Sequence, residues 1–474
     1  MQRINLGEWT PDQPGISGSL TTATNVVPQQ VGYGPFPEAS TYSGAASQPL
    51  LSSFAGIYGN TSVVLFAGGA TKLFKFDNVT AALTDVSKAG SYTATDGWEF
   101  SQFGNVVIAA NNKDKLQAWN LASSTAFADL SVNAPIAKFV TVVRDFVVAA
   151  NLDSGTNATK VQWSNLGDET NWLPGPTSQS DFQFMPDGGN ITGLTGGEFG
   201  LVLMERAIAR MTQSGSPLFF QFDVISRGLG CIESGSVAQY GQTTFFLSDN
   251  GFYSCNGQVL EPIGAEKVDR FFLEDADQAR LSEMSATIDP LRKLVVWEYR
   301  DNNQQNGLLI YNWQVKRWSS AVTDADYLST AATPALTLEA LDSFGTVDSI
   351  TTSFDSRVWV GGKATLAGIR GSSIITFTGG TYDAEIATGD IELSQNSLVG
   401  VIKPLVDQGS CNAQIASRRG LNDDINYSAT SVQNADGRCP VRSAGRFHRI
   451  KLLPTGDWTA AVGMDIEAAS QGGR

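Results

Sequence analysis

Apolar and polar positions along the chain fall into one recurring figure: an apolar strand, a tight turn, and a second strand ending in an aromatic. It reads VVLFAGGATKLFKFD from Val63, NVVIAANNKDKLQAWN from Asn105, DFVVAANLDSGTNATKVQWSN from Asp145 and FGLVLMERAIARM from Phe199. Later copies are TTFFLSDNGFYSCNG from Thr243, KLVVWEYRDNNQQNGLLIYNW from Lys293 and RVWVGGKATLAGIRG from Arg357. Most starts lie about 40–55 residues apart, a strand-built period that belongs to radial blades. A lone hairpin cannot bury its own apolar face, so the copies must pack on one another. The pattern predicts an all-β chain with a six- or seven-bladed β-propeller over residues 51–370. Six is the count if the first or last hairpin belongs to a joining region.

Further strands flank the hairpins. WEFSQFG, KFVTVVR, ITGLTGG, SVAQYG and SATIDP precede five of them and read as outer strands; AFADLSV, LFFQFDVI, QVLEPIG and RWSSAVT follow. Three or four strands per repeat make a blade. The turns Gly68–Gly69, Asn111–Asn112, Asp249–Asn250–Gly251 and Gly361–Gly362 tolerate positive φ. Two insertions break the rhythm. Residues 264–284 form the best helical stretch, with Val268, Phe271, Phe272 and Leu281 available for burial, and Thr330 to Phe344 adds a helical turn.

The two ends have other textures. Residues 1–50 lack periodicity and are interrupted by Pro11, Pro14, Pro28, Pro35 and Pro37. They cannot make a core of their own, so they must lie extended on the rest of the molecule or on a neighbouring subunit, or be mobile. With Trp9, Tyr33 and Phe36 on a proline-stiffened backbone, they read as an extended strap for docking on a neighbour. Residues 371–474 read as short strands without the repeat hairpin, the size of an antiparallel sandwich or platform domain. Within them GRCPVRSAGRFHRIKL is locally basic: either a contact surface or an ordinary solvated edge.

Composition narrows the function. The 474 residues, 42% apolar with 48 glycines and 17% charged, suit a large all-β protein dense in turns. No apolar run is long enough for a membrane-spanning helix, and the opening MQRINLGEWTPD lacks the profile of a secretory signal. The net charge of −15 has the wrong sign for gripping nucleic acid, although it suits a surface past which nucleic acid slides. An acidic balance also simply keeps a large protein soluble.

Catalytic and metal chemistry are poorly supplied. Cys231, Cys255, Cys411 and Cys439 share no CxxC spacing, so no zinc site is expected. Cys411 and Cys439 are either a disulfide or, the better reading, two buried thiols. A Ser/His/Asp or Cys/His arrangement must centre on His448, the single histidine; no GxSxG elbow accompanies it, and Arg446 and Arg449 flank it. No GxxxxGK[ST] loop cradles phosphate. SDNGFYS from Ser248 approaches the aspartate box of sialidases but is one residue short. No catalytic residue, metal or cofactor is expected. The alternative is a propeller that binds or cleaves glycans, with its acids gathered around a central pocket.

Several segments carry a family likeness. The opening GEWTPDQPG…ATNVVPQQVGYGPFPE, then VQWSNLGDETNW, SDNGFYSCNGQVLEPIGAEKVDRFF, LLIYNWQVKRW and the closing GRFHRIKL…GDWTAAVGMDIEA resemble the tail nozzle, or tail hub, proteins of short-tailed bacteriophages. The likeness spans nearly the whole chain but is of texture rather than of a catalytic fingerprint. It implies a virion protein made in the host cytoplasm, with six copies in a ring below the portal and adaptor, enclosing a channel through which double-stranded DNA is ejected. It further implies contacts with adaptor and portal-side proteins and with a tail needle or plug, or with tail fibres or tailspikes. Larger relatives insert domains that form a long tip, for which this chain has no room. Trp9, Pro11, Pro14, Tyr33, Phe36, Arg446 and His448 are the candidate assembly contacts.

Overall fold

The computed structural model of the chain describes residues 1–59, 62–216, 218–333 and 363–470. Its architecture is all-β, and the repeating unit is a four-stranded antiparallel sheet. The first blade runs Leu50–Tyr58, Ser62–Gly69, Leu73–Phe76 and Leu83–Asp85; the second runs Glu99–Phe103, Val106–Ala110, Gln117–Asn120 and Ala128–Asp129. The third spans Ala137–Val143 to Asp181–Phe184, the fourth Ile191–Thr195 to Phe220–Arg227, and the fifth Ala238–Tyr240 to Leu260–Pro262. A sixth unit, Ser285–Asp289 to Arg317–Val322, has the same order but continues into a larger sheet. The last blade takes Tyr327–Thr333, Lys363–Arg370 and Ser373–Thr381 from late in the chain and its fourth strand, Pro37–Thr41, from the beginning. Six separate four-stranded sheets and one shared unit therefore close a β-propeller.

Each of the first six hairpins supplies the middle two strands of a blade; of the seventh, Lys363–Arg370 is described and pairs with Ser373–Thr381. The strands that precede the hairpins are the innermost ones, not outer ones: the first strand of the first blade packs against the first strands of the second and last blades. The strands that follow lie outermost, as at Phe220–Arg227 and Leu260–Pro262, except Arg317–Val322, beyond which Leu20–Thr24 continues the sheet. Middle strands are buried on both faces, so Phe146–Leu152 is apolar almost throughout and buried at every position. The aromatics ending the hairpins wedge between blades. Trp119 lies 5.3 Å from Phe66 of the blade before it, and Trp163 5.1 Å from Phe220 of the blade after it. Burying each such ring contributes about 1.5–3 kcal/mol. Polar clamps add direction. Gln102 donates to Ile57 O at 2.7 Å and accepts from Ile57 N, and Gln239 repeats this with Gly196, donating at 2.6 Å. The expected Gly361–Gly362 turn and the expected insertion beyond Thr333 lie outside the described residues, while Thr330 to Thr333 belong to a strand; Lys363–Arg370 turns into Ser373–Thr381 at Gly371.

The helical insertion is shorter than its sequence suggests. It comprises an α-helix, Asp269–Asp275, and a 3-10 turn, Gln278–Glu283, with Val268, Phe272 and Leu281 buried. The Asp12 carboxylate accepts from Arg270 N at 3.0 Å and Phe271 N at 2.8 Å, so the helix is capped from the N-terminal segment.

That segment is no outward strap. Gln2–Asn5 pairs with Ala460–Ser470, and Leu20–Thr24 bridges Arg317–Val322 to Glu385–Thr388. Trp9, Tyr33 and Phe36 are 3%, 0% and 0% exposed. Coreless on its own, the segment finds core and strand partners within the same chain.

The C-terminal region is likewise not a free-standing sandwich. Its long strands Ile391–Asp407 and Cys439–Thr455 share a 13-stranded sheet with the sixth unit, joined through Leu20–Thr24. One apolar core runs from Trp297 and Trp318 of the blade to Ile402, Ile450 and Met464 of this platform. Residues 419–438 hold only an isolated bridge at Ser431, where the sequence suggested a strand.

Candidate functional site at the propeller axis

The starts of the inner strands gather around a cavity of about 620 Å³. Leu51, Glu99, Lys138, Val237, Ser285 and Leu328, each from a different blade, line this mouth of the axis. Its charge is one-sided, with Asp96, Glu99, Glu233 and Glu283 facing Lys138. Glu99 is open to solvent yet enclosed by protein on the funnel wall; that enclosure pushes its carboxyl up to about 7, with Lys138 opposing. Burial raises Glu233 in the same way. Beneath the wall, Glu298 is 1% exposed and accepts from Ser285 Oγ at 3.0 Å; burial pushes it up to about 8. Sequence spacing could not have found this set, because the acids come from separate blades and meet only through ring closure. The mouth can hold protons near neutrality and disfavours phosphate.

No histidine or cysteine lines this cavity. A serine–histidine contact does exist elsewhere: His448 Nε2 lies 2.8 Å from Ser397 Oγ. Both residues are sealed in the platform, at 0% and 2% exposed, so a substrate has no approach. His448 Nδ1 has no partner to orient the ring, and burial lowers the imidazole pKa. Asp390, a buried carboxylate of the same region, is held by Arg418 and Arg449 instead. Among the described residues no group of three His, Cys, Asp or Glu side chains is placed to hold a metal, and no helix is long and apolar enough to cross a membrane. All four cysteines are free and buried; Cys439 Sγ donates to Cys411 O at 3.3 Å. The SDNGFYS turn has a structural use. Phe252 N donates to Asp269 at 3.0 Å, and Gly251, at φ 131°, has no room for a Cβ, which would lie 2.2 Å from that carboxylate.

The candidate assembly residues do not form one surface. Trp9, Tyr33, Phe36 and His448 are buried, Pro11 is half-buried, and Pro14 and Arg446 are exposed. Trp9 meets Phe271 edge-on at 5.3 Å and donates its backbone N–H to the Tyr33 hydroxyl at 3.0 Å. Phe36 packs 5.4 Å from Phe377. The basic string is largely neutralised by its own chain: Arg446 pairs with Glu392 at 2.8 Å, Lys451 with Glu385 at 2.8 Å, and Arg449 with Asp390 at 3.0 Å. It therefore stitches platform strands together instead of forming a free cationic face.

No protein family and no curated protein matches the chain. Among solved structures it is similar to the computationally designed Ika8 protein, at TM-score 0.38 and 8% identity over 78% of this chain and 99% of that one. It is similar to BamB from Moraxella catarrhalis at TM-score 0.34 and 10% identity, covering 88% and 98%. YCF48 bound to D1 peptide overlaps at TM-score 0.38 and 8% identity, covering 75% and 99%. At these scores the propeller assignment rests on the chain's own sheets.

Proposed function

We propose that the chain is a structural subunit of a short-tailed phage tail, a nozzle or hub component that forms a ring, of six copies, around the path of the ejected genome. One observation carries this reading: the opening and closing segments that resemble tail-hub proteins form the junction between the sixth unit and the platform. The opening segment threads between the sixth blade and the platform. Asp12 within it caps the helix that follows SDNGFYSCNGQVLEPIGAEK. Arg446 to Glu467 supply parts of two platform strands, whereas Val161 to Trp172 run from the third strand of the third blade into the loop before its fourth, with Trp172 1% exposed. The likeness at this junction supports shared architecture more strongly than the likeness in blade strands, which any propeller needs.

In this role the chain makes and breaks no bonds. It offers a rigid wedge, propeller to one side and platform to the other, with an acidic surplus that repels DNA. Adaptor and portal-side proteins would lie above it, and a plug, needle, fibre or tailspike would meet it at the rim or below. The test is genetic. Particles assembled without the chain should carry heads and portals but stop short of a completed tail. Particles of normal infectivity in its absence would overturn the reading.

A further inference from the structure

The axial mouth carries charge that its own chain leaves unmatched. Among its acids, Glu283 is held by Arg280 at 2.7 Å, and the exposed Asp96 accepts from Thr95 Oγ1 at 3.0 Å. Glu99, on the second blade, and Glu233, in the turn before the fifth, have no hydrogen bond to their carboxylates among the described residues. Lys138 opposes the effect of burial on both, yet its Nζ lies within 4.0 Å of neither. One ammonium is thus shared between two carboxyl groups, and both hold their protons more tightly than an ordinary glutamate. The other arc of the wall has a different character. From Glu233 round the ring to Glu99, on the side away from Lys138, the cavity is lined by Val237, Ser285, Leu328 and Leu51 of the fifth, sixth, last and first blades. Val237 and Leu51 are only half-buried, so their apolar surface faces the cavity. This arc is acidic at both ends and mostly apolar between.

That alternation of charge and apolar surface selects an occupant. An inorganic cation would keep its water, gain nothing from the leucines, and find no group of three ligating side chains among the described residues. An anion is repelled. A ligand with one cationic head would satisfy one carboxylate and leave the other as it stands. An aliphatic chain with an ammonium at each end matches both features. Each ammonium gives a charge-assisted hydrogen bond to a carboxylate, and each methylene laid on the apolar arc adds up to about 0.8 kcal/mol. The cavity, about 620 Å³, is large enough for such a chain with water around its ends. We propose that the axial mouth binds aliphatic di- and polyamines, with Glu99 and Glu233 taking the ammonium groups and Val237, Leu328 and Leu51 the methylenes between. The proposal concerns small-molecule binding and stands apart from the tail reading.

Titration calorimetry on the full chain tests it, with putrescine, cadaverine and spermidine as probes and pentylamine and magnesium ion as controls. At least one of the three amines should bind at about the millimolar level or tighter, and pentylamine at least about tenfold more weakly. Because the amine takes the ionised carboxylates, binding should release protons and tighten between about pH 6 and pH 8. Glu99→Gln and Glu233→Gln should each weaken it about tenfold, or 1.4 kcal/mol. Lys138→Gln, which removes the competing ammonium, should tighten it. Thermal melts establish that each variant folds; should one carboxamide variant not fold, the other and Lys138→Gln decide. The proposal is overturned if none of the three amines binds at high millimolar concentration, or if binding is unchanged in the folded Glu99→Gln or Glu233→Gln protein. It is equally overturned if pentylamine or magnesium ion binds as well as the diamines, the mark of a diffuse acidic field.

Discussion

Asp390 shows how single residues hold the platform. It is 7% exposed overall, and its carboxylate accepts from Arg418 Nε at 3.0 Å and Arg449 NH2 at 3.0 Å. Burial alone would raise its pKa, but the hydrogen bonds and charges of Arg449 and Arg418 outweigh that and leave it below the ordinary value. Its stabilising contribution is therefore full above pH 3.8 and lost as pH falls further. Asp390→Asn would leave two guanidinium groups facing each other with little solvent, and urea unfolding should register a loss of about 3–5 kcal/mol. Glu298, Glu99 and Asp269 act in the opposite direction. Burial or enclosure pushes them up to about 8, 7 and 6, so the folded chain keeps protons that the unfolded chain releases. Their contribution is full in mild acid and is lost as pH rises through that range. Glu298→Gln should therefore gain roughly 1–3 kcal/mol in the alkaline range and almost nothing near pH 4, checked by melts across pH.

At the scale of elements, the first 41 residues complete the structure. Pro37–Thr41 is the outermost strand of the last blade, and Leu20–Thr24 welds blade to platform. Removing residues 1–41 should abolish the cooperative melt rather than leave a folded propeller short of an attachment arm; a sharp transition at the wild-type temperature would contradict this. The hairpins themselves were legible in the sequence, because short apolar runs, tight turns and aromatic ends are local signals that each blade repeats. What escaped were the long-range pairings. Nothing local in Trp9 or Tyr33 distinguishes an aromatic that docks on a neighbour from one that returns to its own core 300 residues on. The platform was misread for the same reason: short strands look like a sandwich until Leu20–Thr24 joins them edge to edge with Arg317–Val322. The acidic mouth could not be read either, since Glu99, Glu233 and Glu283 are far apart in sequence.

Over the whole molecule, the net charge of −15 is the feature that a ring would multiply. DNA carries about one negative charge per 1.7 Å of axis, so a basic lumen would hold it by counterion release and stall ejection. An acidic wall repels it, and the hydrated cations between keep the surface from adhering. DNA resting in such a channel before infection needs a physical stop, a constriction or a plug below. Electron cryomicroscopy of the assembled tail tests this most directly, because it reads copy number and lumen lining together. The account predicts six copies encircling the axis, with channel-facing charges neutral to acidic. A peripheral, single-copy position, or a lumen studded with unpaired Lys and Arg, would contradict it.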